Sequence, residues 1–255
     1  MTGTNRKSLD PALVNAPQPV IVLVNPQMGE NIGAAARAML NCGLCHLRIV
    51  NPRDGWPNER ANAMSSGALE LMPPVEVFEN LADALADCQT VYATTARPRD
   101  LVKPVLTPRF AAEDMASATQ NGEKTAILFG AERAGLSNDE VAFAHKIITI
   151  PLNPGFSSLN LGQSVLLVTY EWSQIVFKAA EETLPTGKSE IATGDEFENF
   201  FTRLDQELTN ARFYRVDEMK DIISRNIKSL FQRAKPTNQE INTLHGVLTA
   251  LISKK

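Results

Sequence analysis

Cysteine, net positive charge and long apolar runs are all scarce in this 255-residue chain, and the shortages of cysteine and of apolar runs each remove a class of function. There are three cysteines, Cys42, Cys45 and Cys88. An odd, low count argues against a disulfide framework and fits a reducing compartment. Cys42 and Cys45 form a C-x-x-C, but a structural zinc needs four ligands and no second pair follows at the usual spacing. They read as small buried hydrophobes where a helix hands over to a strand. No apolar run approaches the roughly 20 residues that span a bilayer; the longest, PVIVLVN from Pro19, is of strand length. Residues 1–18 lack the apolar core of a signal peptide and read as a flexible polar tail. A cytoplasmic protein with no membrane partner is expected.

Familiar catalytic signatures are missing as well. There is no G-x-S-x-G, no H-E-x-x-H, no P-loop and no G-x-G-x-x-G fingerprint. His46, His145 and His245 stand apart, in settings that suit packing or surface roles, and no metal site is expected. The net charge of −4 gives no broad basic field, and DNA is not an expected partner. Local clustering of Lys and Arg can nonetheless coexist with an acidic total. Arg97, Arg99, Lys103 and Arg109 face only Asp100 in one stretch. In another, Arg212, Arg215, Lys220, Arg225, Lys228, Arg233 and Lys235 outnumber Asp217, Glu218 and Asp221. Either stretch also suits a solvated helix face, so charge alone decides nothing.

What is present is an alternation of strand-like and helix-like segments over residues 19–180. PVIVLVN, HLRIV, VEVF, TVYATTA, TAILFG and KIITIPL read as strands. Helices are expected near 31–40, 61–71 and 161–180, and at LADALADC. Apolar strands alternating with helices predict an α/β domain around a mostly parallel sheet covered on both faces. Residues 181–195 have the Pro, Gly and charged composition of a linker. Residues 196–255 then carry three amphipathic helical stripes, the last opened by Pro236 and Thr237. Three such helices are too few to bury their stripes alone, so they are expected to pack on the first domain or on a second copy.

Ligands of open parallel sheets gather at the carboxyl ends of the strands, and three loops there carry unusual residues. After the first strand comes NPQMGENIGAAARAM, in which Asn31 suits a helix N-cap, Ala34–Ala36 permit close approach to the sheet, and Arg37 stands near the anion-attracting helix start. After TAILF comes GAERAGLSNDE: Gly130 ends the strand where backbone must pass close to something, and Glu132 follows. Ser137 and Glu140 have capping-box spacing. After IITIPL comes NPGFSSLNLGQS, whose Ser157, Ser158 and Asn160 suit caps or ligands equally.

Taken together, the three loops resemble the signature motifs of the SpoU/TrmH branch of the SPOUT methyltransferases. Asn31, Gly33 and Arg37 match N-x-G-x-x-x-R. Phe129, Gly130, Glu132, Gly135 and Leu136 match F-G-x-E-x-x-G-L. Ile150, Pro151, Ser158, Leu159 and Asn160 match I-P followed by a polar loop and S-L-N. The TTAR segment at Thr94–Arg97, SSGALE and the C-terminal LFQRAKPTNQEINTLHGVL are similar to the TrmJ subgroup. The resemblance implies a deep trefoil knot at the end of the catalytic domain, an exception to unknotted topology. It implies S-adenosyl-L-methionine as cofactor, held by Thr94, Thr95, Ala96, Gly130, Ile150, Ser157, Ser158 and Leu159. It implies a homodimer that methylates the ribose 2′-hydroxyl of tRNA cytidine or uridine at position 32, where the anticodon loop begins. Arg37 is the implied catalytic group, as proton acceptor or as electrostatic clamp, with Asn31, Glu132, Ser158 and Asn160 shaping its surroundings. An rRNA methyltransferase, a non-catalytic RNA-binding relative and a nucleotide-dependent oxidoreductase remain alternatives, the last disfavoured by the missing glycine fingerprint.

Overall fold

The structure, a computed structural model, describes residues 9–96, 101–177 and 187–253. The chain divides into two compact units, Met1–Ala179 and Ala180–Lys255. Arg97 and Arg99 of the first basic stretch, and residues 181–186 of the expected linker, lie outside the described residues.

The first unit begins with α1 (Pro11–Asn15), capped by the Asp10 carboxylate accepting from Ala12 N at 2.9 Å. This helix stands within the segment expected to be a flexible tail. It is held because Leu9 and Val14 pack on the core and His46 Nε2 donates to Val14 O at 3.1 Å. There follow β1 (Val20–Val24), α2 (Gly29–Asn41), β2 (Leu47–Val50), α3 (Glu59–Ser65), α4 (Ala68–Leu71), β3 (Glu76–Phe78), α5 (Leu81–Ala84) and β4 (Thr90–Thr94). Then come β5 (Val105–Leu106), α6 (Pro108–Gln120), β6 (Thr125–Phe129), α7 (Asn138–Ala142), β7 (Lys146–Ile148) and α8 (Leu161–Phe177). The strands form one sheet in the order β3-β2-β1-β6-β4-β7-β5, and every pairing is parallel.

All five residues of β1 are buried because helices cover both faces of the sheet. Alternate side chains go to opposite faces: Ile21 and Leu23 join the core under α2, α6 and α8, while Val20, Val22 and Val24 join the core under α5 and α7. Small residues bring α2 close to its neighbours. A Cβ on Gly33 would stand 2.2 Å from Ala61 O of α3, and one on Gly162 would stand 2.8 Å from the Ala34 Cβ. Cys42 and Cys45 are buried free thiols in this core.

Three details differ from the sequence expectation. The helix expected over 61–71 is broken into α3 and α4, because Ser66 (φ 53°) and Gly67 (φ 89°) take left-handed backbone. The short β5 was not expected, since two residues between Pro104 and Pro108 carry no periodic signal. Arg48, in the middle of an apolar strand, is buried. Its guanidinium makes a bidentate contact with Asp87 (2.6 and 2.8 Å), donates to Ala84 O at 2.8 Å, and reaches Glu76 at 3.2 Å. Lys124 also contacts Asp87.

The second unit holds α9 (Gly194–Asn210), α10 (Asp217–Ala234) and α11 (Asn238–Ile252) around Phe197, Phe200, Phe201 and Ile241. Thr193 with Glu196, and Thr237 with Glu240, form complete capping boxes, so the expected start of the last helix holds. Val216, Met219, Ile222, Leu230, Val247 and Leu251 stay exposed within this unit, as three helices cannot bury every stripe. No helix among the described residues is long and apolar enough to cross a membrane.

The Arg48 hydrogen bonds, aided by Lys124 and opposed by burial, hold the Asp87 carboxyl well below the usual carboxylate range. A carboxyl whose value is depressed on folding stabilises the fold above its unfolded value, near ~4, and that contribution is lost as pH falls. The urea midpoint of the chain is therefore expected to drop below about pH 4 more steeply than that of Asp87→Asn. Equal pH slopes for the two proteins would show that Asp87 does not carry the effect.

Candidate active site at the carboxyl edge of the sheet

β6, β4 and β7 are adjacent in the sheet, so their carboxyl ends open side by side. The chain leaving each strand end forms one wall of a cleft of about 280 Å³. Thr94, Thr95 and Ala96 come from β4, Gly130 and Glu132 from the loop after β6, and Ile150, Ser157, Ser158 and Leu159 from the segment after β7. All eight positions assigned to cofactor binding by resemblance thus line one cleft, with Glu132. Sequence reasoning had not placed Arg133, Ala134, Leu152 or Ser164 there, yet all four contribute to the lining. Arg133 has no periodic or capping signature that could have marked it.

The walls are tied together by backbone. Thr94 Oγ1 donates to Leu128 O at 2.8 Å, linking β4 to β6. Thr149 Oγ1 donates to Thr95 O at 3.0 Å, and Thr95 N donates to Ile148 O at 3.1 Å, linking β4 to β7. The loop after β6 closes on itself through Gly135 N donating to Ala131 O at 2.8 Å. A Cβ on Gly130 would stand 2.2 Å from the Gly135 carbonyl carbon, and Gly135 has φ +67°. Glycine is required at both places, the first for close approach and the second for left-handed backbone.

A relay of side chains joins the three loops. The Glu132 carboxylate accepts from Gln27 N (2.8 Å), Met28 N (3.2 Å) and Asn31 Nδ2 (2.8 Å). Asn31 Oδ1 in turn accepts from Asn160 Nδ2 at 2.7 Å, and Asn160 Oδ1 accepts from Gly162 N at 2.8 Å. Asn160 is therefore both a cap of α8 and a strut to α2. Asn31 is not the N-cap that its position suggested. α2 starts two residues earlier, at Gly29, and its N-cap Met28 makes no side-chain capping bond. The carboxylate of Glu132, from another loop, supplies the negative group that a helix start favours.

Ser137 and Glu140 form the expected capping box on α7. The second oxygen of Glu140 accepts from Asn25 Nδ2 at 2.8 Å, and Asn25 Oδ1 accepts from Asn51 Nδ2 at 2.9 Å. Asn25 and Asn51 both have left-handed backbone at the ends of β1 and β2, and these contacts fasten both turns to the loop after β6.

Arg37, Asn31 and Asn160 do not belong to the cleft lining. Arg37 is exposed on α2 and donates through NH1 to Ser66 Oγ at 3.0 Å. None of the three histidines lines the cleft: His145 Nδ1 accepts from Val91 N at 3.0 Å, and His245 packs edge-on against Phe200.

Replacing Glu132 with Gln tests the relay. One carboxylate oxygen becomes an NH₂ group, which cannot accept the bond from Gln27 N, or those from Met28 N and Asn31 if the amide turns over. Glu132→Gln is expected to lower the unfolding free energy by about 1–3 kcal/mol in urea titration. An unchanged midpoint would show that the relay is not what holds these loops.

With the geometry in place, comparison with known proteins is informative. The SpoU rRNA methylase family model matches residues 18–170, and the model for the C-terminal domain of the tRNA methyltransferase TrmJ matches residues 195–255. The tRNA (cytidine/uridine-2′-O-)-methyltransferase TrmJ of Yersinia pestis (strain Pestoides F) is 37% identical over 234 residues, covering 91% of this chain and 90% of its own. The protein of the same name from Klebsiella pneumoniae is 36% identical, with 91% and 95% covered. The crystal structure of TrmJ from Z. mobilis ZM4 superposes with a TM-score of 0.78 at 45% identity, covering 92% of this chain and 99% of that one. On the family models, the extent of these matches and the shared fold, the chain belongs to the SpoU methylase family and carries a TrmJ-type C-terminal domain.

Proposed function

We propose that this protein is an S-adenosyl-L-methionine-dependent methyltransferase that modifies a ribose 2′-hydroxyl of tRNA. The target read from the resemblance is cytidine or uridine at position 32, where the anticodon loop begins. One observation carries this reading: residues of the second and third family motifs, with Thr94, Thr95 and Ala96, line a single cleft at adjacent strand ends, and the first motif is tied to it through the bond from Asn31 to Glu132. The curated relatives named above, which match this chain over nine-tenths of its length, are tRNA 2′-O-methyltransferases by name.

The cleft suits such a cofactor. Its lining combines apolar surface from Phe129, Ile150, Leu152 and Leu159 with neutral hydroxyls and strand-end backbone. The single carboxylate, Glu132, already accepts three hydrogen bonds, so no free negative group is aimed inward. Thr94, Thr95, Ala96, Gly130, Ile150, Ser157, Ser158 and Leu159 are the residues that would hold it. When bound, the cofactor supplies a methyl group on an electrophilic sulfonium. The protein's part is then to align the ribose hydroxyl and to assist loss of its proton.

Arg37 is the residue assigned to that second task. Guanidinium groups stay protonated in proteins, so clamping a phosphate and stabilising the developing alkoxide is the preferred role over direct proton acceptance. Asn31, Glu132 and Asn160 act through position, because their relay fixes the helix on which Arg37 stands. Ser158 is both a lining residue and a candidate contact to substrate. We read a homodimer as well. Leu166, Leu167, Tyr170 and Phe177 leave an exposed apolar face on α8, and Arg37 stands outside the cleft lining of its own copy, as expected if RNA contacts both copies. Light scattering at micromolar concentration should give twice the chain mass; a monomer would count against this. The trefoil knot of the family is assigned to the segment from β6 through α8, and a tRNA substrate goes with a cytoplasmic location.

The test is methyl transfer from labelled S-adenosylmethionine to total tRNA, with the product mapped by nuclease digestion. A 2′-O-methyl at position 32 is expected, and Arg37→Ala should abolish it. Label confined to rRNA would keep the chemistry and change the substrate. No label in either RNA would favour a non-catalytic binder, and near-normal activity of Arg37→Ala would remove both roles given to that residue.

A further inference from the structure

Two of the residues that line the cleft are charged, Glu132 and Arg133, and they are neighbours in the chain. Their situations are opposite. Glu132 is turned toward the start of α2, where Gln27 N, Met28 N and Asn31 Nδ2 occupy its two oxygens. Arg133 is exposed and takes part in no hydrogen bond or ion pair among the described residues. The guanidinium of Arg133 is thus the cleft's uncommitted charge. The same lining holds the exposed hydroxyl residues Ser157 and Ser158, which carry no charge of their own.

The loop around Arg133 is built to hold its place. The bridge between Ala131 and Gly135 closes it, Gly130 is pressed against Gly135, and Glu132 is clamped to α2. The backbone on both sides of Arg133 is fixed, while its side chain remains free to meet a ligand. An arginine offers five donors in a planar fork that matches the oxygens of a phosphate or carboxylate. In a chain of net charge −4, a polyanion gains little from the overall field, so local cations must supply the contact.

We infer that Arg133 is the anion contact at the mouth of this cleft, engaging an oxyanion of the bound reactants. This rests on the methyltransferase reading. Two sources share that chemistry: a phosphate of the RNA strand flanking the target ribose, and the carboxylate of the cofactor's methionine portion. The position at an exposed rim favours the phosphate.

The experiment uses the full chain as wild type, Arg133→Ala and Arg133→Lys. Binding of tRNA without cofactor is followed by fluorescence anisotropy at several KCl concentrations, and binding of S-adenosylhomocysteine by calorimetry. If Arg133 meets a phosphate, Arg133→Ala should weaken tRNA binding about tenfold at low salt and reduce the slope of log Kd against log salt by about 1. The Lys variant should recover part of the loss, KM for tRNA should rise with kcat little changed, and S-adenosylhomocysteine should bind as in wild type. If Arg133 meets the carboxylate, S-adenosylhomocysteine binding weakens by a similar factor while tRNA binding holds. Both constants staying within about twofold of wild type would overturn the inference. A wild-type chain that transfers no methyl to any RNA would instead overturn the functional reading, and the two binding constants would still decide whether Arg133 contacts an anion.

Discussion

The Glu132 carboxylate accepts hydrogen bonds from three groups that lie 101 to 105 residues away in sequence, and much of the site depends on that contact. A helix start leaves backbone N–H groups without partners, and a nearby negative group favours them. At α2 no side chain of the helix's own N-cap residue does this. The negative group comes instead from the loop after β6, so the start of α2 and the wall of the cleft are positioned by one interaction. Asn31 extends the contact to Asn160, which caps α8. Three loops that open from different strands are thereby held in a single geometry, and the carboxylate in the cleft lining is engaged by three donors.

That division of labour accounts for the chemistry available at the site. The cleft floor is strand-end backbone with small or apolar side chains, and its hydroxyls come from the end of β4, the segment after β7 and α8. Among the described residues that line it, none forms an acid–base pair or a metal cage. A reaction in which the electrophile arrives already activated needs mainly alignment, and a rigid, neutral cleft with cations at its edges is adequate for that. Arg133 is such a cation, on the loop that Glu132 holds, while Arg37 stands on α2 beside Ser66, outside the cleft lining. At the other end of β2, Arg48 and Asp87 do a different job: a buried guanidinium with several acceptors ties β2 to the turn before β4.

The motif residues were legible before the fold because each belongs to a short local pattern. Asn31, Gly33 and Arg37 sit within two helical turns, Gly130 and Glu132 within one tight loop, and Ser158, Leu159 and Asn160 are consecutive. The capping box at Ser137 was legible for the same reason, since cap and acceptor are three residues apart, and so was the start of the last helix at Thr237. Where a residue's partner is distant, local rules misled. Asn31 has the look of an N-cap, yet its side chain bridges Glu132 and Asn160, and the helix starts ahead of it. The break between α3 and α4 was hidden inside a continuous helical pattern, because Ser66 takes left-handed backbone that its residue type does not announce.

By itself, the sequence determined the alternation of buried strands with helices, the all-helical character of residues 196–255, the order of the three motif loops and the family they belong to. Each of these follows from periodicity or from spacing within a few residues, where chain connectivity already sets the geometry. Only the tertiary structure decided that β6, β4 and β7 lie side by side, that their loops close on one cleft, that Glu132 belongs to the start of α2, and that Arg133 stands uncommitted at the rim. Those relations join residues from 35 to 105 positions apart, or concern which of two neighbours is engaged. They arise when the sheet sets its strand order, and a one-dimensional pattern holds no trace of them.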